Sequence, residues 1–259
     1  MVDIEDVTKA DIMTTALCHH LKDGEVVIMG AYSMIPMLAS RVAQLTHAPN
    51  LTYIAGGSGA VNPRLDPLVP SSCDVRLLKS ECVLPLPFVI DFEGKTEIDL
   101  FFAGGLQIDM HGNCNLVCIG DYHNQKLRGP GTVGLPFLAR ARRFAVYTQS
   151  HDPRTFIEKV DFISGPGFFD GEHYDELGIP GGGPSLVVTP IAVMDFEDKT
   201  RRMRLVSTHP GVTKEQVQEQ TGFELIIPDD VPLSELPNDE ELGLMKKMDP
   251  YNIARNSIR

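Results

Sequence analysis

The segment from Glu25 to Gly57 does most to limit the folds open to this chain. EVVIMG is short, apolar and β-branched, as a buried strand is. Ile35, Leu38, Val42 and Leu45 then recur at helical spacing, with Pro36 placed to be the first helical residue. Ala48-Pro49 closes the helix, and LTYIAGG reads as a second buried strand. Strand, helix and strand in about 30 residues is the size of a βαβ unit, which needs parallel strands. Ligands of such sheets lie beyond the carboxyl ends of the strands. Gly30-Ala31-Tyr32-Ser33 and Gly56-Gly57-Ser58-Gly59 fall at such ends.

The rest of the chain extends this pattern. Thr8 and Asp11 form a capping-box variant at the start of a helix running to Leu21. Asp99–Ala103 and Phe144–Ser150 read as strands. GGLQIDMHGNCNLVCIG turns at Met110-His111-Gly112-Asn113. SLVVTPIAVMDFEDKTRRMRLVS reads as strands joined at Asp-Lys-Thr. Thr213 with Gln216 caps a helix that stops at Gly222, and 239–247 reads as an acidic helix. At 259 residues, with no repeat and no linker-like segment, one continuous α/β domain spanning 1–259 is expected.

Charge and cysteine content remove several classes of function. A net charge of -12 argues against a nucleic-acid binder or a protein held on anionic lipid. The five cysteines, Cys18, Cys73, Cys82, Cys114 and Cys118, are odd in number and contain no CxxC. That fits a reducing cytoplasm and gives no zinc-like spacing, so no metal is expected. No apolar run approaches the length of a membrane span.

Local chemistry is sparse. Ser58 lies one residue off a nucleophile-elbow pattern, and no triad can be assembled around it. LRGPGTVGLP is neither GxGxxG nor a P-loop; a tight connecting loop is its simpler reading. His111 and His123 stay open between general base and surface residue, while His19, His20 and His47 read as solvated. Arg140, Arg142 and Arg143, and Arg201, Arg202 and Arg204, could grip a phosphate but read more simply as solvated flanks.

Several segments together resemble one family. HAPNLTYI, GGLQIDMHGNCN, CIGDYHNQKLR, SGPGFFDG, GIPGGGPSLVVT and KTRRMRLVS are similar to the B-type subunit of class I CoA-transferases, the glutaconate kind above all. The resemblance covers nearly the whole chain. It implies an open, mostly parallel α/β sheet with helices on both faces, and an A-type subunit as partner, in a heterodimer or an α2β2 heterotetramer. It also implies an acyl-CoA substrate, with coenzyme A arriving as part of that substrate and no separate cofactor.

Family transferases attack the thioester with a glutamate of the B-type subunit. Aligned on Ala48-Pro49, that glutamate falls at Gly56, so Gly56, Gly57 and Ser58 mark a former nucleophile position. The loss implies room there for water or a bulky substrate. It favours a relative of the steroid-ring-cleaving hydrolases, whose base lies on the A-type subunit. A transferase with a displaced acid, a glutaconyl-CoA-type decarboxylase and a purely structural subunit are the alternatives. Gln107, Asn113 and Asn115, with Gly129, Gly131 and Gly134, are candidates for substrate or CoA contact. Packing of the turn is the preferred role for Asn113, and turn geometry alone is an equal reading for the glycines.

Overall fold

The computed structural model describes residues 3–95 and 98–258, the side chain of Glu93 excepted. The chain divides into two compact units, Met1–Phe102 with Ser234–Arg259, and Ala103–Leu233. It is an α/β fold with an open sheet flanked by helices.

In the first unit, helix α1 (Lys9–His20) opens on the expected capping box. Thr8 Oγ1 accepts the Asp11 N–H at 3.3 Å, and the Asp11 carboxylate accepts the Thr8 N–H at 2.9 Å. Strand β1 (Val26–Met29), helix α2 (Met34–Leu45) and strand β2 (Thr52–Ala55) form the βαβ unit, with Val26 opposite Thr52 and Met29 opposite Ala55 in parallel register. The helix starts at Met34, two residues before Pro36. Proline is tolerated there because first-turn N–H groups have no intrahelical acceptor.

The chain then runs through β3 (Ala60–Val61), β4 (Cys82–Val83), helix α3 (Leu86–Gly94) and β5 (Leu100–Ala103). Strand order is β5-β1-β2-β3-β4. The first three are parallel; β3 and β4 are antiparallel additions. Burial explains the order. The residues of β5 and all but the first of β1 and β2 are buried, whereas both residues of β4 are exposed.

A C-terminal helix, Asp239–Met248, returns to pack on α1 and α2. Arg255 pairs with buried Asp11 at 3.0 Å. His19, expected to be solvated, is exposed but also bridges two carboxylates, Glu235 at 2.9 Å and buried Glu241 at 2.8 Å. Burial alone would lower the His19 pKa, but the hydrogen bonds and charges of the two glutamates outweigh it and raise the pKa above the ordinary value. The folded value therefore exceeds the unfolded one, so the stabilisation is complete below pH about 6.5 and is lost as pH rises through the folded value. Urea midpoints of the wild type minus those of His19→Gln, taken across that window, should shrink with rising pH; a flat difference would discard the clasp.

In the second unit, β6 (Gln107–Ile108) and β7 (Cys114–Asn115) form a hairpin around the expected turn. A second hairpin, β8 (Cys118–Asp121) with β9 (Asn124–Arg128), lies where no strands were expected. Strand β10 (Arg143–Tyr147) runs parallel to β11 (Pro184–Val188), and β12 (Ala192–Phe196) and β13 (Met203–Thr208) add antiparallel. Helix α4 (Lys214–Glu219) carries the Thr213/Gln216 capping box and ends three residues short of Gly222.

The basic run 201–204 is tied up within the fold. The Arg201 guanidinium lies over the rings of Phe168 and Tyr174 and pairs with Asp175 at 2.7 Å. Arg204 grips Asp195 across the β12–β13 pair. Among the described residues, no helix is long and apolar enough to cross a membrane.

Candidate active site

The parallel register of β1 and β2 brings the loop after Met29 and the loop after Ala55 to one edge of the first unit. Gly56–Gly59 is a tight turn between β2 and β3, closed by bonds from the Ser58 and Gly59 N–H groups to the Ala55 carbonyl at 3.1 and 2.8 Å. The Ser58 hydroxyl is spent inside this turn. It donates to the same carbonyl at 3.3 Å and accepts the Ala60 N–H at 3.4 Å. Gly59 has φ +71, and its missing side chain would collide with the Leu84 carbonyl, so the fourth position admits only glycine without strain.

The expected room at Gly56 is not there. A Cβ at this position would lie 2.8 Å from the Met29 carbonyl and 3.4 Å from the Ile28 side chain. At Gly57 the finding is different. A Cβ there would collide with the thiol sulfur of Cys73 and lie 2.9 Å from Ser72 Oγ. A thiol delivered from another loop thus packs against residue 57 too closely for a side chain there. Buried Ser72 accepts the Gly57 N–H at 3.3 Å and donates its own N–H to the Ala31 carbonyl at 2.9 Å. Loop 71–73 is thereby bonded to both strand ends. Cys73 itself is exposed.

The next residue, Asp74, is the nearest carboxylate along the loop. It is committed to Arg76, whose Nη2 lies 2.6 Å from Oδ2 and whose Nε and backbone N–H both donate to Oδ1. The Arg76 side chain and N–H hold this carboxyl well below the usual range, at about 2. A carboxylate so engaged is a poor nucleophile.

The remaining candidates lie in the second unit. The Gln107 amide donates to Asp161 at 2.8 Å and accepts from Asn115 at 2.6 Å. Asn115 also donates to the Cys118 carbonyl and accepts the Val117 N–H. Asn113 accepts the N–H groups of Gly167 and Phe169 at 2.8 and 3.1 Å, and donates to the Asp109 carboxylate and to the Phe169 carbonyl. All three side chains are buried, and these bonds run within the fold. Gly129 packs against the Leu116 carbonyl, which leaves no space for a side chain. Gly131, with φ +101, has open space beside it, and Gly134 opens the 3-10 turn Leu135–Ala139. Of the set, Gly131 offers a backbone that a ligand could approach closely.

The histidines divide as well. His111 holds the Arg201 carbonyl at 3.1 Å, and His123 is exposed at the β8–β9 tip, edge-on to Tyr122. His151, which no motif singled out, is buried between the hydroxyls of Thr189 and Thr221 at 2.9 and 3.0 Å. Burial pushes its pKa down to about 4, so it is neutral at physiological pH.

Known proteins agree with this fold. The model of the family described as coenzyme A transferase matches residues 10–220. The chain belongs to the coenzyme A transferase family. It is 33% identical over 259 residues to the B-type subunit of glutaconate CoA-transferase from Acidaminococcus fermentans, covering 96% of each chain. The crystal structure of that enzyme superposes with a TM-score of 0.86 at 31% identity, covering 96% of this chain and 98% of that one. The B-type subunit of 3-oxoadipate CoA-transferase from Pseudomonas knackmussii is 34% identical over 250 residues, 94% of each chain. The cholesterol ring-cleaving hydrolase IpdB subunit of Rhodococcus jostii is 27% identical over 264 residues, 98% of each chain. On this coenzyme A transferase scaffold, the candidate strand-end site comprises the GGSG turn and the Cys73 thiol packed against it.

Proposed function

We propose that this chain is the B-type subunit of a heteromeric enzyme that opens a cyclic keto acyl-CoA by hydrolytic C–C cleavage, with the general base on an A-type partner. One observation carries the reading. The strand-end turn bears no carboxylate, and the two places from which one could project are filled by the Met29 carbonyl and the Cys73 thiol. A glutamyl-CoA intermediate then has no nucleophile on this turn. In the reaction a partner base takes a proton from water, and the hydroxide adds to the ring ketone. The ring C–C bond breaks, its electron pair forms an enolate, and a proton returned to carbon leaves a ring-opened acid still joined to CoA. Identity to the two transferase subunits exceeds that to the hydrolase subunit, but whole-chain identity follows the scaffold, whereas the reaction follows the site.

The position of Cys73 favours a second reading. Its thiolate would attack the thioester carbonyl, expel CoA as its thiolate and leave an acyl-Cys73 that water hydrolyses. One experiment separates the two. The co-expressed complex of both subunits is given a panel of acyl-CoAs in ¹⁸O-water, with and without acetate. Ring cleavage puts ¹⁸O into a product that keeps its CoA. Free CoA with a hydroxylamine-sensitive adduct on Cys73 selects the thiol route. Accumulation of acetyl-CoA without such an adduct would reject both readings and restore an ordinary transferase.

A further inference from the structure

We infer that the C-terminal segment 234–259 is a strap whose seating holds the 63–73 loop, and with it the Cys73 thiol, against the strand-end turn, whatever reaction that turn serves. The described residues 62–74 form neither strand nor helix. Prolines at 63, 67 and 70 have no N–H to give, so the loop has few backbone donors with which to fix itself. At its centre the Leu68 N–H donates at 2.7 Å to the carbonyl of Met248, the last residue of the C-terminal helix. The side chains of Leu65, Leu68 and Val69 are buried, so this tie lies inside the unit and not on its surface.

Beyond Met248 the chain is folded back by Asp249. Its buried carboxylate accepts the N–H groups of Ile253 and Ala254 at 2.6 and 2.9 Å. Arg255 then reaches Asp11 of α1 at 3.0 Å, while at the front of the segment Glu235 and Glu241 close on His19 of the same helix. Both ends of the strap therefore rest on α1, and the Met248 carbonyl is carried between them. Tyr251 in turn lies within electrostatic range of Arg76, which holds Asp74 beside the thiol. On the loop side, Leu68 leads to Ser72, which accepts the Gly57 N–H and donates its own N–H to the Ala31 carbonyl. Seated, the strap keeps the loop on the turn and the space beside Gly57 closed by the thiol. Unseated, it withdraws the Leu68 tie, and the loop moves off and opens that space to a ligand. Room at the strand end is thus governed from the other end of the chain.

The test reads amide exchange in the full chain, not turnover. Asp249→Ala strips two N–H groups of their acceptor and unseats the strap just beyond Met248. Exchange of the Ser72 N–H should quicken about tenfold, as a local opening requires. The Gly59 N–H, bonded inside the turn, and the Gly167 N–H, bonded to Asn113 in the second unit, should stay within about twofold of wild type. Arg255→Gln loses only the pair with Asp11 and should quicken Ser72 about threefold, which keeps the test open if Asp249→Ala does not fold. Coupling between two sites is reciprocal, so Gly57→Ala, which pushes on the loop from the turn, should quicken exchange of the Leu68 N–H. Equal quickening at Ser72, Gly59 and Gly167 would mean global opening and reject the strap. Wild-type exchange at Ser72 in the folded strap variants, or at Leu68 in Gly57→Ala, would reject it as well.

Discussion

Replacing Gly57 by alanine should cost about 1–3 kcal/mol of stability, the range for overpacking a filled site, although the residue is exposed in a turn. The new methyl group would collide with Cys73 Sγ, with Ser72 Oγ at 2.9 Å and the Cys73 backbone nitrogen at 3.1 Å. The adjustment must move either the thiol or the whole 71–73 loop, and with it the bond from Ser72 N–H to Ala31. Adding Cys73→Ala should return most of the loss, because it removes the atom in collision. The double-mutant cycle then gives a coupling energy that two remote surface sites would not show. Urea unfolding of the four proteins decides it, and an alanine at 57 that costs nothing with Cys73 intact would show that the thiol does not sit against the turn. The same cycle bears on chemistry: if Cys73 only fills space, Cys73→Ala keeps activity in the assembled complex, whereas a nucleophile's loss abolishes it.

Asn113→Ala should be more damaging still, at about 3–5 kcal/mol, because it strands several buried groups and each unpaired group costs about 1–3 kcal/mol. The Gly167 and Phe169 N–H groups lose their acceptor, and the Asp109 carboxylate loses its side-chain donor. Burial already pushes the Asp109 carboxyl above its usual pKa, against the bonds that favour its ionised form. Removing Asn113 leaves that balance further on the side of burial. Repacking is blocked as well, since a Cβ on Gly167 would strike the backbone of residues 111–113, a measure of how closely the two segments lie. Denaturant unfolding should show the loss directly. A direct substrate contact by Asn113 would appear instead as a raised KM on a chain of wild-type stability.

What the sequence disclosed, and what it hid, follows from the range over which each signal acts. The βαβ unit, both Thr-led capping boxes and the antiparallel strands of 184–208 rest on local periodicity and on side chains three residues apart, so they were legible. Helix α3 was missed because its apolar residues do not leave a polar stripe; the helical period needs a contrast that LPFVIDFEG lacks. The β8–β9 hairpin was missed because its residues are mostly exposed and polar, with no alternation to read.

At the candidate site, the absence of a carboxylate from GGSG was legible at once, but what replaced it was not. Sixteen positions separate Gly57 from Cys73 in the chain, and the intervening prolines 63, 67 and 70 carry no strand or helix signal. Only the folded path shows that the chain comes back to the turn. In the fold, Asp74 is one residue from the thiol that touches the turn, and its bonds to Arg76 disqualify it as a nucleophile.

The first unit is discontinuous: residues up to Phe102 are completed by 234–259, after the whole of the second has been made. Asp11 waits for Arg255, and His19 for Glu235 and Glu241. On the ribosome, then, the half of the molecule that is translated first is finished last. The middle segment can complete its own contacts while α1 still lacks the charges and the helix that cover it. Nascent chains halted before residue 234 should hold a mature second unit beside an unfinished first one, an order of assembly set by the route of the chain and not by the strength of either core.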